Sequence, residues 1–426
     1  MSIGFSFTGR VKKPERLLSA AKELADQRGY QMSQWENGLG VQLCPIGGNL
    51  SIIWKKEGGF LGQWAVEGSC VSTPAGPGLH QAAVELLDSL DIQKLQVEDE
   101  TEYYQHRDFQ RMLREHFYPW LATLVRIADD EIQKGTASMC LCWDLDQYMP
   151  EDVPGTVITP MGRFSAQWLK TVLEEEGVEA LAERFFLWYH PGAWDALFRR
   201  NLALNQLWEG CSFAPSSRSE EDAGMNRAIC DNLEQAAELD PALPLPRQAY
   251  AEVCALAGRA PALPDGPELE LEFQPGFRKG MVAYPIGPLR LTLPGIYLFE
   301  WEEWGENSGC HKWWNESSPI WRVSGYKMRE GNAAFTPVLR EDKDRKELEI
   351  KGGALCYGWR ELPEEDGQPL YQVRGEVISG PSLFLITVTY QDPGQREEIG
   401  ALFEKITVVT QDMEKHAIQA NQDEED

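Results

Sequence analysis

Between Ala260 and Pro267 the chain runs through a stretch rich in Pro, Ala and Gly, and the period of its hydrophobic pattern changes across it. Upstream, apolar residues recur at three- and four-residue spacing, as in Trp168, Leu169, Val172 and Leu173, or Met225, Ile229, Leu233, Ala236 and Ala237. That spacing lines one face of a helix. Downstream, from Leu269 to Val409, short runs such as Leu289 to Leu293, Ile320 to Gly325 and Leu383 to Tyr390 read as strands. One regular element type cannot serve both periods. The pattern therefore requires a helical region and a β-rich region, with a linker at the break.

The first region mixes the two periods. Ile3-Gly4-Phe5-Ser6-Phe7 alternates as a strand does, and Pro14 opens a helix carrying Leu17, Leu18, Ala21 and Leu24. Gly38 to Cys44, Leu50 to Trp54 and Gly62 to Val66 read as strands between glycine turns, followed by a helix from Leu79 to Leu90. Phe109 to Ile127 is amphipathic, and Pro119 is expected to split it into two helices. The fold class that follows is α+β. Residues 1–138 form an antiparallel sheet with helices on one face, and 139–264 are mainly helical. Residues 268–412 are a mostly antiparallel β domain with few helices, and 413–426 an acidic disordered tail.

Two stretches carry resemblances. Leu233-Glu234-Gln235-Ala236-Ala237-Glu238-Leu239-Asp240-Pro241, followed by Ala249 to Leu256, resembles one tetratricopeptide-type helix–turn–helix unit. A solenoid needs about three such units, and no second copy stands at the expected spacing, so a local helical hairpin is the reading. Ser379-Gly380-Pro381 through Tyr390, then Asp392-Pro393-Gly394 and a helix to Lys405, resembles the end of a Mog/PsbP-like domain. Leu293-Pro294-Gly295-Ile296-Tyr297 resembles its opening. That resemblance implies an antiparallel sheet flanked by helices, with a role in binding or assembly. The earlier regions resemble an uncharacterised bacterial family, which implies no activity.

Charge narrows the partners. Forty basic side chains against sixty-seven acidic ones leave a formal charge of −27. Such a surface repels phosphate backbones and anionic lipid heads, so neither nucleic acid nor membrane is an expected partner. A protein partner is, and charge complementarity suggests a basic one. Met1 to Arg10 lacks a signal-peptide pattern, and the longest apolar run, Leu383 to Tyr390, is too short to span a bilayer. Nine scattered cysteines fit reduced thiols better than a disulfide framework. The expected location is the cytoplasm.

Chemistry-bearing motifs are sparse. No H-E-x-x-H, C-x-x-C or Gly-x-Ser-x-Gly occurs. Cys140-x-Cys142 puts two thiols on one strand face, and Asp144, Asp146, Glu151 and Asp152 gather carboxylates, but neither set completes a metal site. Buried thiols and a solvated acidic loop are the readings. Cys310 and His311 are adjacent, and adjacent residues seldom face each other. The loop Ser72 to Gly78 opens a helix as phosphate loops do, yet Pro74 and Pro77 remove two N–H donors, so a rigid connection is expected. No catalytic residue, metal or cofactor is assigned.

Tryptophan is the least ordinary component. Of fifteen, five fall in one short stretch: Trp301, Trp304, Trp313, Trp314 and Trp321. Large aromatics with a polar tip serve protein interfaces well, and Glu302, Glu303, Glu306 and Asn307 would form the rim. Core packing under a long loop is the competing reading. The function expected is that of a non-enzymatic intracellular protein-binding protein of bacterial type, immunity- or antidote-like or an assembly factor. The alternative is a hydrolase or transferase with an unrecognised site using His190 or His311 and scattered carboxylates.

Overall fold

The computed structural model describes residues 2–45, 48–56, 64–73, 75–142, 149–150, 153–305, 308–315, 319–336, 345–365 and 367–409. The acidic tail expected at 413–426 lies outside these. The chain is α+β, with antiparallel sheets in its N- and C-terminal regions and helices between them. It divides into two compact units. The first takes residues 1–143, 152–211 and 215–276, and the second takes 144–151, 212–214 and 277–426.

In the first unit, β1 (Gly4–Val11), β2 (Gln31–Trp35), β3 (Gly38–Gln42), β4 (Leu50–Lys56), β5 (Trp64–Val71) and β6 (Gln93–Asp99) form an antiparallel sheet in the order β2-β3-β4-β5-β1-β6. Alternation sets its sidedness: Phe5, Phe7 and Val11 of β1 are buried, whereas Ser6 and Thr8 between them are exposed. The apolar stripes of α1 (Pro14–Arg28) and α2 (Pro77–Asp88) are buried in the same core. Short α3 (Tyr103–His106) and α4 (Phe109–Met112) follow. From α4 the helix does not break at Pro119. A π-helical turn at Leu113–Phe117 leads directly into α5 (Tyr118–Gln133). The wider turn just before the proline accommodates its ring and missing N–H, so one continuous helical run replaces the expected two helices.

A small sheet of β7 (Ser138–Cys140), β9 (Thr156–Thr159) and β10 (Gly162–Ser165) precedes α6 (Ala166–Thr171), α7 (Val178–Phe185), α8 (Ala196–Asn205), α9 (Glu220–Leu239) and α10 (Arg247–Leu256). Helices α9 and α10 occupy the tetratricopeptide-like stretch and meet at the buried thiols of Cys230 and Cys254, 3.6 Å apart. The expected strand at Leu269 to Phe273 is irregular chain, tied by Glu272 to Ser165.

The second unit holds two sheets. One orders β20 (Thr407–Val408), β12 (Leu289–Pro294), β11 (Met281–Ile286) and β8 (Met149–Pro150). The other is antiparallel and seven-stranded: β13 (Leu298–Gly305), β14 (Ser308–Trp314), β15 (Ile320–Lys327), β19 (Ser382–Tyr390), β18 (Gln368–Ser379), β17 (Gly353–Glu365) and β16 (Lys346–Ile350), in that order. Helix α11 (Arg396–Phe403) covers one face of it, with Phe403 against Tyr357 and Trp321 at ring distances of 4.9 and 5.3 Å. Among the described residues no helix is long and apolar enough to cross a membrane.

Candidate functional site

The tryptophan-rich stretch builds one end of the seven-stranded sheet. Strand β13 is an edge, paired only with β14 among the described residues. Opposed residues of an antiparallel pair share a face, so Phe299 faces Trp313 and Trp301 faces His311. The rings confirm it: Phe299–Trp313 at 5.1 Å, Trp301–His311 at 5.0 Å and His311–Trp313 at 5.8 Å. Tyr284 extends this aromatic face from β11, 5.4 Å from Trp313. Gly309 makes room for Trp301, because a Cβ there would come within 2.8 Å of its indole.

The opposite face is ionic. Lys312 pairs with Glu300 at 2.8 Å and Arg322 with Glu302 at 2.7 Å. Trp304 Nε1 also donates to Glu302, at 3.3 Å. The Arg322 hydrogen bond outweighs desolvation and holds the Glu302 carboxyl at about 2. Cys310 lies opposite Glu302 on this face, and burial reinforced by that carboxylate pushes its thiol up to about 11. His311 points to the aromatic face, where burial lowers its pKa. Cys310 and His311 therefore face away from each other and form no nucleophile–base pair.

The five tryptophans do not form one surface. Trp301 and Trp304 are 50% and 56% exposed, but Trp313 and Trp321 are in the core at 1% and 0%. Trp314 is partly exposed, with the Lys312 ammonium 4.8 Å from its ring centre. The division follows place in the sheet. Trp321 is on β15, flanked by strands on both sides and packed on Phe403, and Trp313 has Trp321 beside it. The expected surface thus reduces to Trp301 and Trp304, and it gains Phe299, 52% exposed, which the tryptophan count passed over. Glu306 and Asn307 lie outside the described residues.

A second constellation was invisible in the sequence. Ser72 Oγ is 2.7 Å from His80 Nδ1, and His80 Nε2 is 3.2 Å from Asp99 Oδ1. Thr101 Oγ1 also donates to Asp99 and stands 3.1 Å from Nε2. Burial alone would raise the Asp99 carboxyl, but hydrogen bonds from His80, Tyr104 and Thr101 hold it at about 2. A carboxylate only accepts, so Nε2 carries the proton. Residue types and distances match a Ser–His–Asp relay, yet Ser72 and His80 have no solvent exposure, and the Phe5, Tyr103 and Phe117 rings meet the imidazole edge-on. A hydroxyl so enclosed meets no substrate. The cluster ties the segment after β5 to α2 and the end of β6.

Other expected positions resolve individually. Gly78 N–H in the Ser72–Gly78 loop donates to the Trp188 carbonyl at 2.9 Å, and a Cβ at Gly78 would strike the Trp188 ring at 2.2 Å. Close chain packing explains that glycine. Cys142 is pushed up to about 12 by burial. His190 pairs with Asp195 at 2.6 Å, which raises the imidazole, and Asp195 also caps α8. Asp144, Asp146, Glu151 and Asp152 lie outside the described residues.

No protein-family model matches the chain, and no curated protein matches it. Among solved structures, it is similar to a Bacteroides thetaiotaomicron VPI-5482 protein at 17% identity, covering 29% of this chain and 46% of that one, with a TM-score of 0.22. The chain thus spans less than half the length of that neighbour. A likeness of this size carries no argument about fold or activity.

Proposed function

We propose that this chain is a non-enzymatic protein-binding protein whose partner adds an extended segment to the free edge of β13. The observation that carries the reading is an eight-residue edge strand with Phe299, Trp301 and Trp304 each about half exposed. An unpaired row of N–H and C=O groups is a template for another strand, and natural sheets blunt such edges with charge or shorten them. The opposite edge, β16, is treated that way: five residues, with Lys346, Glu347 and Glu349 among them. Strand β13 also carries three glutamates, but it is longer and keeps exposed aromatics, as a strand-addition groove does.

Glu300, Glu302 and Glu303 on β13, together with the overall charge of −27, favour a basic segment. The Mog/PsbP-like resemblance of residues 268–412 supports a binding or assembly role over catalysis, in the bacterial cytoplasm, with an immunity- or antidote-like factor as one version. The enclosed Ser72–His80–Asp99 cluster lends the hydrolase alternative no support. The test is affinity capture from host cells on the intact chain and on a Phe299→Ser, Trp301→Ala double variant. A basic protein held by the first and lost by the second, with thermal melting unchanged, is expected. Undiminished capture by the double variant would overturn the reading.

A further inference from the structure

One end of the six-stranded sheet's exposed face, where Thr8, Ile53 and Glu67 stand in solvent among the described residues, has the opposite electrical character to the chain as a whole. A cleft of about 1050 Å³ crosses it. Among the described residues, four cationic side chains line it (Arg10, Lys55, Lys56 and Lys94) against one carboxylate, Glu67. In a chain of net charge −27, such a concentration of positive charge in one concavity is not what a random surface provides.

Register builds the floor. Trp35, Gly38, Ile53, Glu67, Thr8 and Gln96 are successive cross-strand partners, one from each strand. Strands lie about 4.8 Å apart, so this row spans on the order of 24 Å, or about seven residues of extended chain. Trp35 lies over Gly38, where a Cβ would meet its Nε1 at 2.3 Å, and the residue is 42% exposed. Ile53 is equally exposed. One row further on, Lys55 and Arg10 flank Ala65, whose small side chain leaves space between two cations.

Lys94 supplies the independent observation. Its φ is +52°, in the left-handed region that a lysine rarely occupies, and it lies beside a register shift between β1 and β6. Bulges re-aim side chains, and strained backbone is retained where the surroundings hold it. Here it lines the cleft.

We propose that this cleft binds an extended acidic peptide whose carboxylates alternate with apolar side chains. Lys55, Lys56 and Lys94 would take the carboxylates, while Trp35 and Ile53 would take the apolar groups. Glu67, in the middle of the row, argues against a contiguous run of phosphates. This site lies in the first unit and does not depend on β13.

The test uses the full chain and a fluorescently labelled peptide of alternating glutamate and leucine. Lysine–leucine peptide, oligothymidylate and inorganic phosphate are run beside it. Saturable binding of the acidic peptide that weakens with salt is expected, and a Lys55→Glu, Lys94→Glu double variant should bind at least about tenfold more weakly. Trp35→Ala should also weaken it. Both lysines are exposed, so thermal melting of the double variant should match the parent. Peptide binding that survives charge reversal would overturn the proposal. So would tighter binding of oligothymidylate, or full displacement of the peptide by phosphate alone.

Discussion

Ser72 and Asp99 are joined through the His80 imidazole in the first unit, while Phe299, Trp301 and Trp304 stand half in solvent on β13 of the second. By residue type the first group suggests catalysis, and the second is open between interface and core. Their surroundings decide both. The polar trio is enclosed by aromatic rings, so its hydrogen bonds can only hold structure together. The aromatic trio lies on the last strand of a sheet, where no further strand covers it among the described residues. Identity proposes a role, and exposure decides whether the role can be played.

The contrast breaks first at the enclosed cluster. His80→Ala should remove the imidazole contacts with Ser72 and the buried Asp99 carboxylate and leave a cavity among three aromatic rings, a combined loss of about 3–5 kcal/mol. Urea denaturation would measure that loss. If the cluster were catalytic instead of structural, a serine-directed fluorophosphonate would label Ser72 in the folded protein.

An equally large effect is expected within the tryptophan stretch itself. Trp321→Ala or Trp313→Ala removes a fully buried ring, typically a cost of about 3–5 kcal/mol. Melting temperatures unaffected by either change would mean that the core of the second unit lies elsewhere.

Acid should weaken the enclosed cluster by a smaller amount. Asp99 is held at about 2, below its unfolded value near 3.9, so its contribution is fully present above that unfolded value. It is lost as pH falls through about 2. A shift of this size corresponds to stability on the order of 2 kcal/mol. Unfolding free energy followed from pH 5 downward should fall with a proton-uptake slope, and Asp99→Asn should flatten that slope.

Much of the fold could be read from the sequence where one face of an element is buried and the other is wet. Strand β1, helices α1 and α2, and strands β12, β15 and β19 all announce themselves through alternation or helical spacing. Strand β2 does not, because Gln31 to Trp35 is almost wholly exposed and no burial imposes a pattern on it. Strand β6 is similar, its Leu95 and Val97 only partly buried among Gln, Lys and Glu. The aromatic stretch was legible as unusual but not in its division. Whether a tryptophan is core or surface depended on its distance from the sheet edge, which composition does not encode. Ser72, His80 and Asp99 lie up to twenty-seven positions apart in separate elements, so no motif could have joined them.

The smallest effect on stability, and the sharpest test of the aromatic edge, is expected at Trp304. Its ring is more than half exposed, and its indole N–H reaches only the outer Glu302 carboxylate, which Arg322 already holds. Trp304→Ala should therefore change unfolding free energy by less than about 0.5 kcal/mol, as surface substitutions do. Trp301→Ala should cost somewhat more, since its ring also covers Gly309 and meets His311. Affinity for the protein captured on β13 should separate the two. An anchor at the centre of the aromatic face loses about 2 kcal/mol of binding on truncation, and a rim residue loses far less. Trp301 shares its face with Phe299 and His311, whereas Trp304 bonds to the ionic face. Titration calorimetry should accordingly rank Trp301→Ala well above Trp304→Ala. Equal losses would move the partner from the aromatic face of β13 to its acidic one.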